Sequence, residues 1–175
     1  AGKSVTIKCA LGLMTPERGE VLFDGQKVEG GKAIDAVRRR TGTLFQGGAL
    51  LAWMTVAENV ALPLVEKTTL EPDAITARVA ETLGMVGLEQ DGDKYPDEIS
   101  GGMRKRAGLA RAIVRKPEII LYDEPTTGLD PINTERINHL INGLKEALNV
   151  TSIVVTHDMK SAFSISDRMA MVHSG

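Results

Sequence analysis

Several short stretches of this 175-residue sequence carry residue types suited to phosphate chemistry. Gly2-Lys3-Ser4 precedes a helical pattern and matches the tail of a phosphate-binding loop, Gly-x4-Gly-Lys-[Ser/Thr]. In such a loop the unpaired N–H groups and dipole of a helix start face an anion, the lysine reaches the β- and γ-phosphates, and the hydroxyl can ligate magnesium. Ile119-Ile120-Leu121-Tyr122 is an apolar run ending in two carboxylates, Asp123 and Glu124. Successive strand residues point to opposite faces, so the two can serve different tasks, one near a metal and one near a water. Ser100-Gly101-Gly102 opens a helix, although each glycine weakens it by ~1 kcal/mol. Bare backbone at that point is suited to gripping a further phosphate. Arg104, Lys105 and Arg106 add positive charge beside it, His157 ends the buried run Val154-Val155-Thr156, and Gln46 ends Thr41-Gly42-Thr43-Leu44-Phe45.

Taken singly, each stretch has an ordinary structural explanation. Gly2-Lys3-Ser4 reads as an exposed turn, Asp123-Glu124 as the opening of a turn before Pro125, and Ser100 as an N-cap. The basic triplet reads as a solvated face, and His139 and His173 as structural histidines. His157 differs because it ends at the same sheet edge as Asp123 and Glu124, where α/β folds bind ligands.

The elements that would position these groups are short strands alternating with longer helices. Strands are expected at Glu20–Asp24, Gly42–Phe45, Glu118–Tyr122, Ser152–Thr156 and Arg168–His173. Helices are expected at Lys3–Leu13, Ala33–Arg39, Val56–Leu62, Pro72–Met85, Gly102–Arg115, Ile132–Leu148 and Met159–Ser164. In the helix after Pro131 an apolar stripe of Ile137, Leu140, Ile141, Leu144 and Leu148 follows an Asp130 N-cap, with proline at the favoured first position. The strand–helix–strand run from Ile119 to Val155 predicts a parallel crossover. In the helix from Gly102, the small residues Ala107, Gly108 and Ala112 allow close approach. The result is an α/β fold with a mainly parallel sheet, read as a single domain over 1–175. Its core is expected in 1–46 and 116–175, with a helical subdomain inserted at 47–115, since Gly47–Ile99 holds helical patterns and no convincing strand.

Composition narrows the functional classes. The 42% hydrophobic and 25% charged content suits a globular core. A net charge of −2 argues against a protein that coats nucleic acid by neutralising phosphates. The longest apolar run, Ala49–Met54, is far below the ~20 residues of a membrane helix. A single cysteine, Cys9, excludes an internal disulfide and fits a reducing compartment.

The stretches AGKS, LFQ, ISGGM, IILYDEP, GLD and VVTHD occur in that order, each at the end of a strand or the start of a helix. As a set they resemble the Walker A, Q-loop, signature, Walker B, D-loop and H-loop motifs of the nucleotide-binding subunit of ATP-binding-cassette (ABC) transporters. The resemblance covers essentially the whole chain and implies a P-loop NTPase (RecA-like) fold with an inserted signature subdomain. It implies that Ala1, Gly2, Lys3, Ser4 and Val5 cradle ATP, that Ser4 and Gln46 ligate Mg2+, and that Asp123 holds the ion through water. Glu124 is then the base that polarises the attacking water, and His157 contacts the γ-phosphate. Ser100, Gly101 and Gly102 grip the ATP of a second copy of the subunit, and Asp130 lies at that head-to-tail dimer interface. The family's other partner is an integral-membrane permease, which places the ATPase on the cytoplasmic side, peripheral on the inner face of the bacterial plasma membrane.

The signature departs from the family's LSGGQ at Ile99 and Met103, and the earlier part of Walker A and its preceding strand are not in the sequence, so the chain reads as a fragment of an ATPase. Met103 and the Gly47-Gly48-Ala49 that follows Gln46 look like the ATPases of Mla/Mce-type phospholipid transporters, which implies an Mce-type lipid-binding protein as a further partner. Gly47–Trp53 is then expected near the groove for a coupling helix of the permease, with Leu50, Leu51 and Trp53 either at that contact or packed in the subdomain core. Three rival readings remain. A nucleotide kinase would not require Ser-Gly-Gly before a helix, and a DNA-repair or chromosome-structure ATPase would carry long heptads between Gln46 and Ser100, where none are sustained. A non-hydrolysing ATP-dependent interaction module would typically lack a base at Glu124.

Overall fold

The structure, a computed structural model, describes residues 2–173. Three parallel strands form the sheet: β3 (Thr41–Leu44), β4 (Ile119–Asp123) and β5 (Thr151–Val155), in the order β3-β4-β5. Leu44 pairs with Tyr122, and Asp123 pairs with Val155, so all three strands end along one edge. The next residues of the chain there are Phe45-Gln46, Glu124 and Thr156-His157.

β4 explains why its run is apolar throughout. Ile120 and Tyr122 enter the main core with Leu44, Leu109, Ile113, Ile137 and Ile141. Leu121 faces the other way and packs with Ile7, within α1 (Lys3–Ala10), and Leu11, just beyond its end. A strand covered on both faces has no polar side to show.

Helix α6 (Pro131–Leu148) begins as its sequence dictates: the Asp130 carboxylate accepts from the backbone N–H groups of Ile132 and Asn133, each at 3.0 Å. Ile137, Ile141 and Leu144 are buried, and the chain then returns as β5, parallel to β4. Helix α5 (Gly101–Ile113) lies on β3 at a distance only small residues permit. A Cβ on Gly42 would meet the Ala112 carbonyl oxygen at 2.2 Å, and one on Gly108 would meet the Gly48 Cα at 2.8 Å. Helices α3 (Val56–Lys67) and α4 (Pro72–Met85) complete the helical layer through Val60, Leu64, Val79 and Leu83. The chain also forms α2 (Gly31–Arg40) before β3 and α7 (Met159–Ile165) after β5.

Three expectations change. In place of one strand at Glu20–Asp24 there is a hairpin of two-residue strands, β1 (Leu22–Phe23) and β2 (Gln26–Lys27), turned by Asp24 and Gly25 at φ 51° and 76°. Two successive positive φ values on Asp-Gly are the mark of a tight hairpin turn. Arg40 ties that hairpin to the sheet, donating to both Glu118 carboxylate oxygens and to Asp24 while lying over the Phe23 ring. Helix α3 runs through Pro63 to Lys67 instead of ending at Leu62, because the buried stripe Val56, Val60 and Leu64 outweighs the lost hydrogen bond. Arg168–His173 is not a strand: among the described residues no neighbour pairs with it, and its side chains are exposed.

Candidate active site

Phosphate chemistry needs a cationic, N–H-rich cradle next to a carboxylate, and the strand-end edge supplies both. Gly2 opens α1 at φ 98° with no side-chain cap, which leaves the first N–H groups of the helix free. Gly2, Lys3, Ser4, Val5, Gln46, Glu124 and His157 line one cavity of about 270 Å3. Asp123 joins it through Ser4, whose hydroxyl donates to Asp123 Oδ1 at 2.8 Å. A larger groove, about 330 Å3, runs along β3 beside Arg39, Leu62, Arg111 and Arg115 and contains none of the cavity's Lys, Ser, Gln, Glu or His residues.

Glu124 is held with unusual closeness. It sits just past β4 at φ 51° and is nearly buried, and its N–H donates to the Val155 carbonyl at 2.8 Å. Its Oε2 accepts from the Thr127 hydroxyl at 3.0 Å and from His157 Nδ1 at 2.9 Å, with the His157 backbone N–H at 3.4 Å. No protein donor among the described residues reaches Oε1, so that oxygen keeps its acceptor capacity. Burial pushes the carboxyl up, but the hydrogen bonds from His157 and Thr127 and the His157 charge outweigh it and hold the group below its ordinary value. At neutral pH Glu124 is therefore ionised with one oxygen free, the state in which a carboxylate can take a proton from water.

The chemistry-bearing residues fall into two groups. Lys3, Ser4, Gln46, Asp123, Glu124 and His157 converge, together with Gly2 and Val5. Ser100, Gly101 and Gly102 are not among them. They form the head of α5, with Ser100 and Gly101 exposed and Gly102 half-buried, where the Ser100 hydroxyl caps the helix by accepting from the Met103 N–H at 3.2 Å. A Cβ on Gly102 would lie 3.4 Å from the Asn133 side chain, so this head abuts the start of α6, where Asp130 is the cap. Ala1 lies outside the described residues.

Two residues escaped the sequence reading. Thr127 acts on Glu124 from three positions on, as a Thr in a turn commonly does. Asn59 is fully buried, and its amide donates to the Leu51, Met54 and Thr55 carbonyls while its oxygen accepts from the Leu51 N–H at 2.7 Å. It thereby fixes the loop after Gln46. Leu50 packs against the core and Trp53, 75% exposed, stands out from it.

With this geometry in view, residues 1–127 match the family model described as ABC transporter. The chain belongs to the ABC transporter family. It is 45% identical over 173 residues to the probable ribonucleotide transport ATP-binding protein mkl of Mycobacterium leprae, covering 98% of this chain and 50% of that one. It is 46% identical over 168 residues to the intermembrane phospholipid transport system ATP-binding protein MlaF of Haemophilus influenzae, covering 95% and 64%. It is 44% identical over 178 residues to the methionine import ATP-binding protein MetN of Caulobacter vibrioides, covering 100% and 53%. The chain thus spans about half the length of the first of these relatives. Among solved structures, a dimeric ATP-binding cassette in a post-hydrolysis state with ADP and Pi superposes with a TM-score of 0.82 at 34% identity, covering 93% of this chain and 73% of that one. The fold is that of ABC ATPase cassettes, the P-loop NTPase arrangement expected from the motifs.

Proposed function

We propose that the chain is the ATP-binding and ATP-hydrolysing part of a transporter subunit, and that Lys3, Ser4, Gln46, Asp123, Glu124 and His157 are its working residues. The observation that carries this reading is their convergence on one cavity from four separate segments of sequence. Lys3 and the free N–H groups of α1 bind the β- and γ-phosphates. Water attacks the γ-phosphorus as the bond to the β–γ bridging oxygen breaks. Its proton goes to Glu124 Oε1, and ADP and phosphate leave. His157 and Thr127, both on Oε2, hold the carboxylate in place. Such catalysis is mainly positioning and charge stabilisation.

The side chains present suit magnesium. Among the described residues no cluster of three His, Cys, Asp or Glu could hold a metal alone. A hydroxyl and one carboxylate in contact, beside a phosphate cradle, are what Mg2+ uses when phosphate oxygens and water complete its shell. Ser4, Gln46 and Asp123 would hold it, and when bound it would offset charge developing on the phosphate oxygens.

Ser100–Gly102 and Asp130 lie away from the cavity, and this supports a second copy as partner, with the head of α5 closing on nucleotide held by the other subunit. The dimeric state of the solved relative supports the same arrangement. Trp53 and its clamped loop support docking of a permease, which would keep the ATPase peripheral on the inner face of the membrane. Among the described residues no helix is long and apolar enough to cross one. For cargo we favour an envelope phospholipid, with an Mce-type lipid-binding protein as a further partner. Support comes from the MlaF relative, from Met103 and from Gly47-Gly48-Ala49, although the mkl and MetN relatives carry other substrates in their names. The deciding experiment measures ATP binding and steady-state hydrolysis of the intact protein and its Glu124→Gln variant, with and without membrane partners. Binding without any hydrolysis in the wild type would leave only an interaction module.

A further inference from the structure

Glu124 has a positive φ, a conformation L residues rarely adopt without being held. Its carboxylate is gripped by His157 and Thr127, and its N–H is bound to Val155. Its carbonyl oxygen accepts from the Thr127 N–H at 3.3 Å within the turn and, more closely, from a different element: the Lys105 ammonium of α5 donates to it at 3.0 Å. Lys105 is only 5% exposed and makes no ion pair among the described residues. Burial pushes its pKa down, while the charges of Glu124 and Asp123 pull it back up. A buried ammonium resting on a peptide carbonyl is a poor packing choice, since an apolar side chain of similar volume is often as stable or more so. Packing alone therefore does not account for a lysine at this position.

We propose that Lys105 is a positioning residue for hydrolysis, fixing the Glu124 peptide from α5 so that the carboxylate stays in the grip of His157 and Thr127. The proposal rests on reading Glu124 as the base. It also gives α5 a second task. The helix begins at Gly101 beside Ser100, with Lys105 one turn further on, so the exposed signature segment and the peptide carrying Glu124 are joined by a single rigid turn of helix. Displacement of the helix head by a docking subunit would reach Glu124 without passing through the nucleotide.

The test compares Lys105→Met, Lys105→Gln and Glu124→Gln with wild type in the intact protein. Lys105→Met should lower kcat by at least about tenfold while KM for ATP stays within about twofold, the pattern of an interaction that serves the transition state. Thermal stability should be unchanged or raised. Lys105→Gln keeps an N–H donor and should recover most of the loss. A crystal structure of the Met variant should show the His157 Nδ1 contact to Glu124 broken. Wild-type kcat in Lys105→Met, or equal turnover in the Gln and Met variants, would overturn the proposal. Full turnover in Glu124→Gln would sink the base reading instead. In that case Lys105 is judged by the structure alone, where an intact His157–Glu124 contact overturns it.

Discussion

The Ser4 hydroxyl donates to Asp123 Oδ1 at 2.8 Å across a sequence separation of 119 residues. One residue lies in the first turn of the first helix and the other ends the middle strand of the sheet. Asp123 is nearly buried, so the bond orders an oxygen pair beside the proposed phosphate cradle. Asp123→Asn keeps the shape and an acceptor for Ser4 but removes the charge. Magnesium-dependent nucleotide affinity should fall about tenfold or more, whereas affinity measured in excess chelator should change little. Calorimetry under both conditions checks this, and equal losses in the two would contradict a metal role.

Glu124→Gln should leave ATP binding near wild type and reduce turnover by ~10²–10⁴. The amide preserves size and can still engage His157 or Thr127, but it cannot take a proton from water. Single-turnover hydrolysis with the bound nucleotide counted separately distinguishes lost chemistry from lost binding.

Acid stability offers a check that does not depend on turnover. The Glu124 carboxyl is held below its ordinary value in the folded chain. A group lowered in this way adds stability that is complete above its unfolded value and disappears as pH falls through the folded one. The Gln variant has no such group. The difference in melting temperature between wild type and Glu124→Gln should therefore narrow as pH falls from neutrality through the carboxylate range. A gap that widens on acidification would show that burial, not His157 and Thr127, dominates the carboxylate.

Ser100 is exposed and caps α5 through Met103. Ser100→Arg should cost about 1 kcal/mol through the lost cap and place a bulky cation at the proposed dimer face. Nucleotide affinity of the monomer should be unchanged, because Ser100 is not part of the cavity. Sedimentation with ATP and a hydrolysis-deficient background should show monomer where the parent shows dimer.

The parts legible in the sequence were those whose physics is local. Asp130-Pro131 caps and starts its own helix, and the Ile119–Tyr122 run, apolar on both faces, announces a buried strand. Gly108 and Ala112 showed in advance where a helix could come close. The meeting of Lys3, Ser4, Gln46, Asp123, Glu124 and His157 could be anticipated because each sits within a short motif at the end of a strand or start of a helix. What escaped depends on the fold. Lys105 looks like one cation in a basic triplet until the Glu124 carbonyl is placed above it. Pro63 reads as a stop until the stripe on either side of it is seen to be buried. Asp24-Gly25 was within reach of turn chemistry, but strands of two residues leave almost no periodicity to detect. Arg168–His173 has a strand's composition, yet composition cannot supply the neighbour that a ladder requires.

Asn59 illustrates the same point and yields the last prediction. Its four hydrogen bonds hold the Leu51–Thr55 loop against α3, just before Val60 and Leu64 enter the core. Replacing it with alanine leaves the Leu51 N–H and the Met54 carbonyl to find water or remain unpaired, while the Leu51 carbonyl keeps the Met54 N–H. Asn59→Ala should lower stability by about 2 kcal/mol. Trp53 is the only tryptophan in the sequence, so its fluorescence reports on this loop directly. Its anisotropy should fall in the variant while the far-ultraviolet spectrum stays native. If the loop carries the permease contact, stimulation of hydrolysis by the membrane partner should drop more than the basal rate. An unchanged melting temperature together with unchanged Trp53 anisotropy would mean that the loop is held by something other than Asn59.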